Sequence, residues 1–204
     1  ITRGTHVEDQ GLGYSSRYLL ALYQDFHNFG LVLCDTTTHE FFIGEFKDTV
    51  GRSNLRTILT RMKPVEIVYM PSYIDSDTLR IIKSLSYQPT LSVVSLNKPQ
   101  HLDEIFNRAK KFFASGGVGD VGAMMSKQNE YPQLFVQMEE KINQGLENIA
   151  GAGKTVEDSK LYLYERKVPN YFATQAMRIC MEYLDNVFLA DTVIPMGKFS
   201  ELDL

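Results

Sequence analysis

Arg17-Tyr18-Leu19-Leu20-Ala21-Leu22-Tyr23, Gly30-Leu31-Val32-Leu33-Cys34 and Glu40-Phe41-Phe42-Ile43-Gly44-Glu45-Phe46 are three short runs of aliphatic and aromatic residues. The intervals between them, Gln24-Asp25-Phe26-His27-Asn28 and Asp35-Thr36-Thr37-Thr38-His39, are polar and turn-prone. Apolar runs of this length separated by such turns predict three antiparallel strands in a meander.

Downstream the period lengthens. Leu55, Ile58, Leu59 and Met62 fall at helical spacing, Gly51 and Ser53 offer start signals, and Pro64 stops the helix. Val65 to Met70 then reads as a nearly continuous apolar strand. Leu79, Ile81, Ile82 and Leu85 mark a short helix, and Leu91 to Leu96 a fifth strand. Leu102, Ile105, Phe106, Ala109, Phe112 and Phe113 give an amphipathic helix. Strand–helix–strand–helix after a meander requires parallel fourth and fifth strands joined by a right-handed crossover. The chain is thus expected to be α/β, with the mixed sheet of a ribonuclease H-like fold.

Ser115 to Lys127 breaks the pattern with Gly116, Gly117, Gly119 and Gly122. Beyond it, Leu134, Phe135, Met138, Ile142, Leu146 and Ile149 predict one helix, ended by Gly151-Ala152-Gly153. A last long helix is expected from Pro169, with a stripe of Phe172, Ala176, Ile179, Cys180, Tyr183, Val187 and Phe188. Asp191 to Leu204, with Pro195 and Gly197, reads as an irregular exit. The expected organisation is a core over 1–114, a glycine-rich link over 115–127 and a helical extension over 128–204.

The chain has 204 residues, a formal net charge of −4 and 44% hydrophobic residues, enough to bury a sizeable core. Twelve Phe and eleven Tyr argue against disorder. No run reaches the roughly 18 apolar residues of a membrane helix. The acidic balance argues against a free-standing nucleic-acid binder. The opening Ile1-Thr2-Arg3-Gly4-Thr5, without Met or a signal sequence, is expected of a piece of something longer. Cys34 and Cys180 belong to no Cys-x-x-Cys pair and read as buried free thiols in a reducing compartment. His6, His27, His39 and His101 lack metal-ligand spacing.

Two glycine motifs imitate nucleotide sites. Gly117-Val118-Gly119-Asp120-Val121-Gly122 has the letters of the dinucleotide fingerprint, but no strand precedes it to set phosphate on a helix N-terminus. Gly151-Ala152-Gly153-Lys154-Thr155 ends like a phosphate-binding loop, yet Asn148 stands where that loop needs its first glycine. No Gly-x-Ser-x-Gly elbow occurs. A metal-dependent nuclease on this fold needs carboxylates holding two ions about 4 Å apart. Arg17 to Tyr23 and Gly51 to Met62 contain no acid, which leaves Asp35 and Glu66 as its candidate ligands. Asp35 also suits a hairpin turn, where Asp bonds its own backbone.

In order and spacing these segments resemble the connector domain, domain II, of MutS-family DNA mismatch-repair proteins. Ile1-Thr2-Arg3-Gly4-Thr5 is similar to the family's Ile/Val-Thr-x-Gly-Thr. Gly30 to Thr37 with Phe41 to Phe46 resembles its Asp-Thr/Leu-Ser/Thr hairpin, and Pro64-x-Glu66-Ile67-Val68 its Pro-x-Glu strand. Ala176 to Leu184 resembles the helix before the lever domain. Ser15-Ser16-Arg17-Tyr18-Leu19-Leu20-Ala21-Leu22 is similar to the eukaryotic branch that supplies the larger subunit of MutS-alpha. His39 departs from the family, standing where many relatives have Gly.

The resemblance implies a non-catalytic segment of a protein that recognises mispaired DNA, nuclear on the eukaryotic-like resemblance and cytoplasmic if bacterial. The connector would relay ATP- and mismatch-dependent changes between the mismatch-binding and lever/ATPase domains and present a surface to a MutL-type protein. ATP and Mg²⁺, mismatched DNA and a second MutS-type subunit would engage the parent, and no cofactor this segment. The expected partner-facing surface is Asp103, Glu104, Asn107, Arg108, Lys110 and Lys111, the outward face of the 102–113 helix. The competing expectation is the nuclease using Asp35 and Glu66.

Overall fold

The computed structural model describes residues 17–95, 104, 105, 107, 136, 137, 140, 144 and 170–202. Three antiparallel strands open them: β1 (Tyr18–Asp25), β2 (Asn28–Asp35) and β3 (Glu40–Lys47). Helix α1 (Ser53–Met62) crosses to β4 (Glu66–Tyr69), and α2 (Ser76–Lys83) crosses to β5 (Thr90–Val93). β4 pairs parallel with β5, as the strand–helix alternation predicts, and also with β1.

Local chemistry fixes the joints. Asp48 at the end of β3 is buried, and its carboxyl accepts the backbone N–H of Thr49, Asn54 and Leu55, the last at 2.8 Å. It caps α1 from outside the helix and stands in for the missing cap at Arg52, whose φ is 55°. Lys63, at φ 43°, and Pro64 end α1. Asp75 caps α2 through the Thr78 N–H at 2.7 Å. His39 closes the β2–β3 turn at φ 60°, the left-handed conformation that glycine adopts freely.

Two elements differ from the sequence expectation. Asp191 to Leu204 is not wholly an irregular exit. After the short helix α4 (Ala190–Val193), β6 (Lys198–Glu201) pairs parallel with β3 and completes a six-stranded sheet in the order β5-β4-β1-β2-β3-β6. Four residues with only Phe199 buried carry no readable alternation; backbone pairing and the Phe41–Phe199 stack, 4.5 Å between centroids, hold the strand.

The last long helix, α3 (Tyr171–Asn186), is no appendage. It lies across β1, β2 and β3, with Ala176, Met177, Ile179, Cys180 and Leu184 fully buried. Phe188, expected in its stripe, falls beyond its end at φ 60° and is 91% exposed.

The sheet therefore has two cores. Leu19, Ala21, Tyr23, Val32, Cys34 and Val68 face α3, whereas Leu20, Leu22, Leu31, Leu33 and Ile67 face α1 and α2. Strands covered on both faces must be apolar throughout, which is why β1 and β2 read as continuous runs. The cross-strand row Tyr23–Gly30–Glu45 seats the first turn of α3. Gly30 leaves room for the helix backbone, and Glu45 Oε2 accepts the N–H of Phe172 (3.1 Å) and Ala173 (3.2 Å). A carboxyl at a helix N-terminus answers both the orphan donors and the positive end of the helix dipole. Burial pushes the Glu45 carboxyl up despite these donors.

Candidate functional site

Asp35 and Glu66 begin close in register, since β1 residues Tyr18 and Leu19 pair with Asp35 and Glu66 respectively. Strand alternation then separates them. Asp35 has the parity of Leu33 and lies on the α1/α2 side, while Glu66 has the parity of Val68 and lies on the α3 side. Each is occupied. Asp35 Oδ1 accepts the N–H of Thr37 (2.8 Å) and Thr38 (3.2 Å) inside the β2–β3 turn. Glu66 Oε1 accepts Ser92 Oγ and Tyr183 OH, each at 2.5 Å, tying β4 to β5 and α3. Carboxyls on opposite faces cannot share a pair of metal ions, so the nuclease expectation has no geometric support. Among the described residues no three His, Cys, Asp or Glu side chains cluster to hold a metal.

Of the expected partner-facing residues, Glu104 and Asn107 are helical and exposed, while Ile105 between them is buried in the α3-side core. That helix thus turns one face inward and presents Glu104 and Asn107 outward. Asp103, Arg108, Lys110 and Lys111 lie outside the described residues, as do both glycine motifs. Cys34 and Cys180 are buried free cysteines facing each other between β2 and α3. Burial and then the neighbouring sulfur push the Cys34 thiol up, so it stays protonated and inert.

A polar joint that the sequence does not announce sits at the carboxyl end of β1. Arg52, 5% exposed, places Nη2 2.6 Å from Asp75 Oδ2 and Nη1 2.8 Å from His27 Nδ1, with its guanidinium 5.2 Å from the centre of the Phe29 ring. Gln24 Nε2 donates to Asp75 Oδ2, and Gln24 Oε1 accepts the Asp75 N–H. The joint pins the β1–β2 turn to the starts of α1 and α2. Only the left-handed turn at Arg52 and the N-cap role of Asp75 leave local traces; their pairing spans 23 residues.

This joint sets a pH dependence. Desolvation pushes the Asp75 carboxyl up, but the Thr78 N–H, Gln24 and Arg52 outweigh it and hold the group at about 2, below an ordinary 3.8. A depressed carboxylate contributes stability that is complete above the unfolded value and lost as pH falls through the folded one. We expect the stability difference between wild type and Asp75→Asn to shrink as pH falls from about 4 to about 2. Urea midpoints of both proteins across that range measure it, and a constant difference would refute the assignment.

A cavity of about 290 Å³ opens between α1, β3 and the chain end, lined by Phe46, Ile58, Arg61, Met62 and Leu202 with Asn54 and Thr57. Its lining carries one hydroxyl, at Thr57, and no carboxylate, histidine or cysteine beside it. No helix among the described residues is long and apolar enough to cross a membrane.

Residues 17–131, more than half of the chain, match the family described as MutS domain II. The chain is 26% identical over 214 residues to the DNA mismatch repair protein MSH6 of Arabidopsis thaliana, covering 99% of this chain and 15% of that protein. It is 30% identical over 95 residues to the DNA mismatch repair protein Msh6 of Homo sapiens, covering 41% of this chain and 7% of that protein. The chain thus spans a small fraction of either relative's length. With a mixed six-stranded sheet beginning in the matched segment, and that match over most of its strands, the chain belongs to the MutS family of DNA mismatch-repair proteins.

Proposed function

We propose that this chain is a non-catalytic connector: a rigid body that relays ATP- and mismatch-dependent changes between the mismatch-binding and lever/ATPase parts of its parent and presents a surface to a MutL-type protein. The match to MutS domain II carries this reading. The fold is ribonuclease H-like, supported by the order β5-β4-β1-β2-β3 with β2 alone antiparallel to its neighbours. The occupied carboxyls Asp35 and Glu66 support a fold of this kind put to a structural use. Nuclear location, a second MutS-type subunit, mismatched DNA and ATP with Mg²⁺ belong to the parent. The Gly151–Thr155 stretch does not fit a nucleotide, since Asn148 replaces the required glycine.

The proposed partner-facing residues are Glu104 and Asn107, which are exposed, together with Asp103, Arg108, Lys110 and Lys111 of the same stretch of sequence. Reversing Arg108 and Lys111 to Glu in the full-length, ATP-loaded heterodimer is expected to weaken binding of the MutL-type partner by about tenfold, a loss of about 1.4 kcal/mol. Unchanged affinity removes this helix from the interface.

A further inference from the structure

We propose that Phe26 and Val50 anchor a second docking site, one for a partner protein that offers an apolar cleft rimmed by carboxylates. Phe26 occupies the first central position of the two-residue turn between Asp25 and Asn28. Its φ is 53°, a region where a side chain is strained and where Asn or Gly would be at ease. Phe26 is 83% exposed, so the fold gains little from the aromatic group that it strains to display. Backbone strain combined with an exposed large apolar group is the pattern of a residue retained for contact outside its own fold.

Val50, 80% exposed, belongs to the neighbouring loop. That loop is fastened to the turn, for Asp48 N–H donates to the His27 carbonyl at 2.7 Å and Arg52 Nη1 bonds the His27 ring. Gln24 Nε2 holds the Phe26 carbonyl at 2.9 Å. The anchors are therefore presented on a platform fixed from three sides, which lowers the ordering cost of binding.

Charge selects the partner. Asp48 and Asp75 are committed to capping and to Arg52. Lys47, cross-strand partner of Asn28, and Arg56, whose Nε donates to the Gly51 carbonyl beside Val50, are exposed and make no ion pair among the described residues. Half-buried Asp25 is the opposing acid. Exposed cations flanking apolar anchors, on a chain of net charge −4, complement an acidic rim. Two cations are few for a phosphate backbone, and Val50 has no face on which a base could stack.

The proposal does not rest on the connector reading. It is tested by panning the 204-residue chain against random displayed peptides, with a short duplex DNA as the alternative ligand. The expected peptides combine Asp or Glu with Leu, Ile or Phe. They should bind Phe26→Asn about tenfold or more weakly than wild type, an anchor-sized loss, and should also lose affinity for Lys47→Glu/Arg56→Glu. Phe26→Asn relieves the left-handed strain, so its melting temperature is expected to equal or exceed that of wild type, which separates lost binding from lost folding. Absence of any Phe26-dependent peptide, Phe26-dependent DNA binding, or Phe26-dependent self-association would each overturn the proposal.

Discussion

Gly30→Ala is expected to destabilise the protein by about 3 kcal/mol, the upper end of the ordinary overpacking cost. A Cβ built at Gly30 meets the carbonyl carbon and oxygen of Phe172 and comes within 2.7 Å of the Ala173 nitrogen. All three are backbone atoms of the first turn of α3, so no side-chain rotation can make room. The helix would have to lift, and with it the Glu45 carboxyl would lose the N–H groups of Phe172 and Ala173. The lift would also loosen Ala176, Ile179 and Cys180 from β1 and β2, the strands α3 packs against most closely. Gly51→Ala is the control, because a Cβ there meets only Thr49 Oγ1 at 3.9 Å; it should shift stability by no more than a few tenths of a kcal/mol. Urea unfolding of the two variants gives the comparison. Equal stabilities would mean that α3 is not seated as closely on β2 as the structure places it.

The seat of α3 also marks the limit of what could be read from the chain. The three-strand meander, the stop at Pro64 and the parallel pair β4–β5 were legible because each is a local matter of apolar runs, turn residues and proline. The amphipathic stripe of α3 was legible as well, through Ala176, Ile179, Cys180 and Tyr183. Its destination was not, since nothing local says that Gly30 and Glu45, more than a hundred residues earlier, prepare a place for it. For the same reason the Arg52–Asp75–Gln24 joint was silent: Gly51 to Met62 reads as a segment without acids, and its acidic partner comes from the next crossover. Strand β6 escaped because an edge strand of four residues needs only backbone pairing and one buried side chain.

The candidate site follows the same division. Amphipathicity placed Glu104 and Asn107 outward and Ile105 inward. The exposed Phe26 lay in a stretch recognised as a turn, but its left-handed backbone and isolation from the core are properties of the folded chain.

Glu66 offers the sharpest test between a structural and a catalytic carboxyl, because the two roles order its variants differently. Glu66 is 5% exposed, and its carboxyl accepts two hydroxyls, from Ser92 and Tyr183, at 2.5 Å each, with no cation paired to it among the described residues. Glu66→Ala strands two buried hydroxyl donors and leaves a void, at an expected cost of about 3 kcal/mol. Glu66→Gln keeps an acceptor oxygen for both hydroxyls and should cost about 1 kcal/mol, the value of a modestly impaired hydrogen bond. Tyr183→Phe removes one donor and loosens the tie between α3 and β4, at about 2 kcal/mol. Because Tyr183 and Glu66 share one bond, the double variant Glu66→Ala/Tyr183→Phe should be more stable than the two single losses added together predict, by about 1 kcal/mol. Strict additivity, or alanine no worse than glutamine, would mean that the carboxyl does not tie α3 to the sheet. A metal-binding acid would instead lose its chemistry equally in Gln and Ala, with little change in stability. The ordering Ala, Tyr183→Phe, Gln in decreasing cost is therefore the signature of a carboxyl used to join a helix to a sheet.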